Sequence, residues 1–199
     1  MARTSQRPAI HAAALACFAE RGYDATRTRH IAERAGVSEA ALYRHYPSKE
    51  AIARELYTEA VQGYALALSA VADGPGTAVE RLAGVVRAML AAYRRRPHAF
   101  LFALYNTGSL MPRLPEGSAY PLHVIERLIT QAQREGEVRD GPANLLAAVF
   151  AGCVLQPITV ATLSRAGALD LLTGTAHDHI IEEAALAAVR SHPRAVDDH

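Results

Sequence analysis

The sequence predicts an all-α protein of about nine helices, and three observations lead to this fold class. Apolar side chains recur at intervals of three and four residues along most of the 199-residue chain. Glycines, prolines and N-capping residues interrupt this periodicity where helices would end. No segment alternates apolar and polar residues as a half-buried strand does. The predicted helices cover approximately residues 8–21, 28–35, 39–46, 49–71, 77–96, 98–105, 120–135, 142–165 and 175–190.

The first three predicted helices are short and closely spaced. Gly22 ends the first helix, and we expect Thr26 and Thr28 to cap the second. Gly36 supplies the backbone freedom that a sharp turn between helices needs, and Ser38 is suited to cap the third helix. This spacing predicts a helix-turn-helix.

The later helices are longer and more apolar. Pro47 stops the third helix and Ser48 caps the fourth, which the segment 73–76 (Asp-Gly-Pro-Gly) closes. Residues 107–119 form the longest stretch without helical periodicity. Pro157 lies inside the eighth predicted helix, where we expect a kink.

Composition excludes several classes of protein. Half of the residues are hydrophobic and 21% are charged, which is not the composition of a disordered chain. No run reaches the roughly 18 uninterrupted apolar residues of a membrane helix, and the N-terminus has no apolar signal core. We therefore expect a cytoplasmic protein without a membrane partner. The two cysteines, Cys17 and Cys153, lie in apolar helical patterns and are predicted to be buried reduced thiols.

Charge is distributed unevenly along the chain. Residues 1–55 contain nine Lys and Arg against six Asp and Glu, whereas the remainder contains twelve against fourteen. A basic N-terminal segment on a mildly acidic body favours a polyanionic partner for that segment alone.

A helix-turn-helix suits such a partner, because one helix crosses the phosphate backbone while the next lies in the major groove. Residues 31–52, IAERAGVSEAALYRHYPSKEAI, combine a compact apolar core with small and polar residues on the third helix. This segment, preceded by a glycine and threonines, resembles the DNA-binding domain of TetR-type transcriptional regulators. The resemblance covers about 45 residues; the rest of the chain is similar mainly in length and helical content.

The resemblance implies a set of DNA-contacting residues. The hydroxyl, imidazole and amine groups at the edges of the motif are expected to contact phosphates. Residues of the second and third helices are expected to contact the groove. The set comprises Thr28, Arg29, Glu39, Ala40, Ala41, Tyr43, Arg44, His45 and Lys49. Family members often carry glycine and threonine where Ala40 and Ala41 stand, so a hydroxyl contact is missing here. Tyr43 is also compatible with a half-buried core position.

The resemblance further implies that residues 1–52 bind DNA and that residues 53–199 bind a ligand and form the dimer. Aromatic and scattered polar residues in the middle helices are typical of a small-molecule cavity, although each is also compatible with ordinary core packing. The candidates are Met89, Tyr93, Phe100, Leu104, Tyr105, Met111, His123, Phe150 and Gln156. The last two helices are expected to form a homodimer through apolar and small residues, including Leu145, Leu146, Val149, Val154, Ile158, Ile180, Ile181, Ala184 and Ala185.

No motif points to an enzyme, a cofactor or a metal site. Phosphate loops, zinc-protease motifs and nucleophile elbows are missing from the sequence. We expect His177-Asp178-His179 to be solvated, and likewise Arg94-Arg95-Arg96 at the end of the fifth helix. The sequence therefore predicts a homodimeric repressor that a small, largely apolar effector releases from a near-palindromic operator in double-stranded DNA. The alternative is a constitutive or partner-controlled DNA-binding regulator without an effector.

Overall fold

The computed structural model describes residues 6–106, 120–163 and 174–191. Within these ranges the chain forms nine helices. Strand-like pairing in the described residues is limited to one isolated bridge between Val138 and Arg190. The all-α prediction is therefore confirmed. The helices are α1 (Arg7–Arg21), α2 (Thr28–Ala35), α3 (Glu39–His45), α4 (Lys49–Ala72), α5 (Ala78–Arg95), α6 (Pro97–Tyr105), α7 (Pro121–Arg134), α8 (Ala143–Leu163) and α9 (Asp178–Val189).

Two predicted N-caps are confirmed. The Ser38 hydroxyl accepts a hydrogen bond from the backbone N–H of Ala41 at 3.1 Å, and the Ser48 hydroxyl accepts one from Ala51 at 3.2 Å. These bonds satisfy amide groups that have no partner inside their own helices, so α3 and α4 each begin at the position that the sequence indicates.

The predicted caps of α2 are wrong. Thr26 is buried, and its hydroxyl donates instead to the backbone carbonyls of Gly22 at 2.7 Å and Cys17 at 3.1 Å. The N-cap position belongs to Arg27, whose backbone N–H donates to Nδ1 of His30 at 3.2 Å. Thr26 therefore holds the turn after α1 instead of capping the helix that follows.

The contacts divide the chain into two compact units. The first comprises the described residues of Met1–Val61 and Arg96–Ser118, and the second those of Gln62–Arg95 and Ala119–His199. In the first unit, α1, α2, α3, the start of α4 and α6 enclose a continuous apolar core. Its fully buried side chains include Ile10, Ala14, Ile31, Leu42, Ile52 and Ala53.

In the second unit, α7 and α9 pack against α8, and α5 packs against both α7 and α9. The helix faces turned toward one another are apolar and fully buried, which is the main source of stability in such a bundle. Their side chains include Leu82, Val85, Val86, Ile125, Ile129, Ala147, Phe150, Val154, Ile158 and Ala185.

The prediction that Arg94 is solvated is wrong. Its guanidinium donates to Asp178 Oδ2 at 2.9 Å and to the backbone carbonyl of Gly174 at 2.6 Å. The side chains of Arg94 and Asp178 are only 18% and 20% exposed. This forked ion pair fixes the start of α9 against the end of α5, and it raises the pKa of Arg94 through its hydrogen bonds to the carboxylate.

Helix α8 is long and strongly apolar. By length and composition alone, Ala143–Thr162 could cross a membrane, with a mean hydropathy of 1.9. The helix continues through Pro157 and packs against α7 and α9, and about a third of its most apolar stretch is buried. Both cysteines are free thiols; Cys17 is buried as predicted, whereas Cys153 is only partly buried.

Candidate nucleic-acid interface

The third helix presents a short polar surface. Gly36 adopts the left-handed conformation at φ 67°, which closes α2 and directs the chain into α3. Leu42 lies in the core, so the opposite face of α3 is turned to solvent. The exposed side chains on that face are Glu39, Ala40, Tyr43, Arg44 and His45.

One predicted contact does not belong to this surface. Ala41 is only 6% exposed, because it lies one position before Leu42 on the side of α3 that packs into the helix-turn-helix core. A buried methyl group has no access to a base edge. Ala41 therefore does not belong to the predicted DNA-contacting set, and Ala40 is the exposed alanine of the pair.

Tyr43 joins the second and third helices. Its side chain is 48% exposed, and its hydroxyl lies 3.1 Å from the hydroxyl of Thr28. With about half of its side chain exposed, Tyr43 is compatible with both the phosphate contact and the half-buried position. Because one of these hydroxyls donates to the other, the pair leaves one O–H free, and a free O–H at such an edge is of the kind that donates to a phosphate oxygen.

Arginines at this surface differ in how their charge is used. Arg34 forms a two-pronged ion pair with Glu20, with both N–O distances at 2.6 Å, so its charge is neutralised between α1 and α2. Arg29 and Arg44 are exposed, and no ion pair joins either of them within the described residues. Their positive charge is therefore available to a polyanion.

Lys49 is more constrained than the sequence indicates. Its ammonium group donates to the backbone carbonyls of Tyr23 at 2.7 Å and Asp24 at 3.3 Å, and it lies 4.2 Å from the centre of the Tyr23 ring. These contacts close the turn between α1 and α2 onto the first residue of α4. The amine of Lys49 is thus engaged with the protein itself.

An aromatic row, which the sequence analysis missed, supports this turn. The Phe102 ring of α6 stacks on Phe18 of α1 at 5.2 Å, and Phe18 contacts Tyr23 at 5.4 Å. The Tyr23 hydroxyl donates to Glu50 Oε1 at 3.2 Å. Only the spacing of Phe18 and Tyr23 around Gly22 was visible in the sequence; the contact with Phe102 depends on the packing of α6.

Burial and the neighbouring carboxylate of Glu50 raise the pKa of Tyr23 to about 12. The folded state therefore favours the neutral phenol, a stabilisation that is complete below pH 10 and is lost as the pH rises from about 10 to about 12. We expect the melting temperature of Tyr23→Phe to fall less steeply over this range than that of the unmodified protein. Circular dichroism melts measure this difference, with Tyr105→Phe, an exposed tyrosine of the same unit, as control. Equal slopes for Tyr23→Phe and the unmodified protein would contradict the assignment.

The predicted ligand residues fall in both units. In the first, Phe100 is buried, Leu104 is partly buried and Tyr105 is 48% exposed. In the second, Met89 and Phe150 are buried and Tyr93 is partly buried. His123 and Gln156 are exposed, and Met111 lies outside the described residues. A role for these residues in ligand binding stays a prediction.

Each of the two units contains a cleft. The larger, of about 730 Å³, lies in the first unit and is lined by parts of α1 and α4 and the start of α6. The smaller, of about 460 Å³, lies along α7 in the second unit and includes His123. The walls of the larger cleft are formed by residues other than the predicted ligand set.

The last two helices carry an exposed apolar stripe. Leu145 and Val149 of α8 are 58% and 44% exposed, and Ile180 of α9 is 56% exposed. Gln156 and Val160 continue the stripe along α8 at helical spacing. Several residues predicted for the interface lie in the core of the second unit instead, because they face the neighbouring helices: Leu146, Val154, Ile158, Ile181 and Ala185.

Comparison with known proteins agrees with this architecture. Residues 10–56 match the family described as bacterial regulatory proteins, tetR family. The chain is 30% identical to the nucleoid occlusion factor SlmA of Vibrio vulnificus over 156 residues, which cover 71% of this chain and 76% of SlmA. It is 29% identical to the transcriptional repressor KstR2 of Mycolicibacterium smegmatis, over 56% of this chain and 54% of KstR2. The chain thus spans about half the length of the KstR2 proteins that it matches.

The fold has counterparts among solved structures. KstR2 of Mycobacterium tuberculosis superposes with a TM-score of 0.71 over 96% of this chain and 97% of its own length, at 22% sequence identity. At this identity the likeness concerns the fold. Together with the helix-turn-helix and the match of SlmA over most of its length, it identifies the chain as a member of the TetR family of DNA-binding transcriptional regulators.

Proposed function

We propose that the protein is a homodimeric repressor that acts in the cytoplasm, binds a near-palindromic operator and is released from it by a small, largely apolar effector. In this proposal residues 1–52 hold the DNA and residues 53–199 bind the effector and form the dimer. The observation that carries it is the exposed polar face of α3 beside the unpaired charge of Arg29 and Arg44 within the described residues.

The contacts with DNA divide by chemistry. Arg44 and Glu39 on the exposed face of α3, with Ala40 between them, lie where a recognition helix reaches base edges. Thr28, Tyr43 and His45 flank that face and are assigned to phosphates. Arg29, exposed near the start of α2, is assigned to a base.

Lys49 has a different part in this proposal. Because its amine is bonded to the carbonyls of Tyr23 and Asp24, it acts mainly by holding the turn that precedes α2. Its positive charge still adds to the attraction of the phosphate backbone, since long-range attraction does not require direct contact.

The stripe on α8 and α9 supports the dimer. Contiguous apolar side chains at the surface of a soluble protein mark an interaction site, and helices with small residues pack closely in bundles. A two-fold axis through this stripe gives each operator half-site one helix-turn-helix, with half-sites about 34–36 Å apart. Gln156, one of the predicted ligand residues, is exposed on the same face of α8 as the stripe.

Effector control is inferred from the aromatic and apolar residues that the sequence predicts for a cavity, and from the name of KstR2, a ketosteroid transcriptional regulator. An effector must bind the released conformation more tightly than the DNA-bound one, since equal affinity shifts no population. The alternative, a regulator without an effector, is compatible with SlmA, whose name as a nucleoid occlusion factor mentions no ligand and which matches more of this chain than KstR2 does.

Selection of genomic fragments on the purified protein supplies the operator, and fluorescence anisotropy then measures its affinity with and without candidate effectors. The panel contains ketosteroids and fatty acids of several chain lengths, with glucose as a polar control. We expect one apolar class to weaken operator binding at least tenfold and to raise the melting temperature of the free protein. Operator affinity and melting temperature unchanged by every member of the panel would favour the alternative.

A further inference from the structure

A polar cluster in the first unit lies apart from the DNA-facing surface. His11 of α1 is 11% exposed and lies between two carboxylates of α4, Glu55 and Glu59, which are one helical turn apart. Its Nε2 lies 3.3 Å from Glu55 Oε1 and its Nδ1 lies 3.4 Å from Glu59 Oε2. One ligand atom from each of the three residues falls within 4.8 Å of the other two.

The geometry points to a binding site for a divalent transition-metal ion of the zinc type, with one ring nitrogen of His11 and the carboxylates of Glu55 and Glu59 as ligands. Zinc binds imidazole nitrogen and carboxylate oxygen at about 2.0–2.2 Å, so tetrahedral ligands lie about 3.4 Å from one another. The distance between His11 Nδ1 and Glu59 Oε2 already has this value. The oxygen of Glu55 lies within 4.8 Å of both of these atoms, and a shift of its carboxylate toward Nδ1 would bring it to the same spacing.

The neighbouring groups are arranged as supports for such ligands. The Tyr46 hydroxyl lies 2.7 Å from His11 Nε2 and donates to Glu55 Oε1 at 3.1 Å. Arg7 binds the other oxygen of Glu55, Oε2, at 2.5 Å. In metal sites, the ring nitrogen and the carboxylate oxygen that do not bind the ion usually accept or donate hydrogen bonds. These bonds orient the ligands and strengthen the site. Arg7 and Tyr46 therefore keep the carboxylate of Glu55 beside His11, whose Nδ1 lies next to Glu59.

The position of the cluster allows an ion to enter. His11, Glu55 and Glu59 all line the cleft of about 730 Å³ in the first unit. Three protein ligands leave a fourth position for water, as in open zinc sites. The mixture of one nitrogen and two oxygen ligands favours zinc over magnesium, which prefers oxygen ligands and retains its water. An ion bound there would join α1 to α4 directly.

The test is isothermal titration of the full-length, untagged and chelator-treated protein with zinc chloride. We expect one zinc ion per chain with micromolar or tighter affinity, and a rise in melting temperature, because an ion that binds only the folded state stabilises it. Glu59→Gln and His11→Gln should each weaken binding at least tenfold. His98→Gln, which removes a histidine from the same cleft outside the cluster, should change the affinity less than twofold.

Three outcomes would overturn the site: no binding of zinc, undiminished binding by Glu59→Gln, or an equal loss in His98→Gln. Magnesium binding as tight as zinc binding would also contradict a nitrogen ligand. Glu59 is 51% exposed, so its isosteric replacement leaves the core intact, and Glu59→Gln decides the matter even if His11→Gln fails to fold. Circular dichroism establishes the helix content of each variant beforehand.

Discussion

Arg44→Ala is expected to weaken operator binding by about tenfold to a hundredfold, because a bidentate contact of arginine with a base contributes about 1–3 kcal/mol of discrimination. Arg44 is exposed on α3 and no ion pair engages it within the described residues, so its guanidinium reaches the groove without breaking an internal bond. Binding to random DNA should fall much less, since phosphate contacts remain. Fluorescence anisotropy on the selected operator and on a scrambled duplex measures both losses.

Arg95→Ala is the matched control for this experiment. It removes the same side chain and the same charge from an exposed position at the end of α5, in the second unit. An effect of Arg95→Ala as large as that of Arg44→Ala would mean that net charge, not a contact in the groove, explains the loss. Equal losses of Arg44→Ala on operator and scrambled DNA would instead assign Arg44 to a phosphate.

The second large effect concerns assembly. If the proposed dimer forms through the stripe of α8 and α9, we expect Leu145→Glu combined with Ile180→Glu to give a monomer. Both side chains are more than half exposed on that stripe, and a carboxylate buried there would lack a partner. Analytical ultracentrifugation should then give the mass of one 21.4 kDa chain. Operator affinity should fall by more than a hundredfold, since a single helix-turn-helix holds only one half-site.

Leu66→Glu controls for the introduction of charge at an exposed leucine. Leu66 is 66% exposed on α4, away from the stripe. This variant should remain dimeric and bind the operator normally. If the double variant also remained dimeric, the dimer would have to use another surface; if Leu66→Glu dissociated it, the interface would include α4.

Local sequence signals predicted the first unit well. Gly36, Ser38 and Ser48 each act within four residues of their own position, through backbone conformation or a short hydrogen bond, so their effects are visible in the sequence. The helical spacing of apolar and polar residues predicted which face of α3 is exposed. Ala40 and Ala41 are the exception, because two adjacent alanines carry no signal that tells the buried one from the exposed one.

Long-range pairing could not be predicted in the same way. Arg94 and Asp178 are 84 residues apart, and His11 meets Glu55 and Glu59 only because α1 packs beside α4. Single charged residues on helices look solvated until the tertiary packing is known, which is why the run 94–96 was assigned to solvent.

The exposed apolar stripe of α8 and α9 was equally hard to predict from the sequence. Helix α8 is apolar on nearly all sides, so the hydrophobic period that separates an inner face from an outer one is weak. Leu145 and Leu146 are neighbours of the same type, yet one is 58% exposed and the other 8%. Their difference depends on where α7 and α9 pack, which composition does not determine.

Lys49 is the only lysine in the chain, and its amine is bonded to two backbone carbonyls. An amine-reactive reagent therefore finds a single side chain besides the N-terminus, and that side chain is protected for as long as the turn before α2 stays closed. The rate at which Lys49 is modified then measures how often this turn opens. Comparing that rate with and without DNA would report on the motion of the helix-turn-helix in solution without any added label.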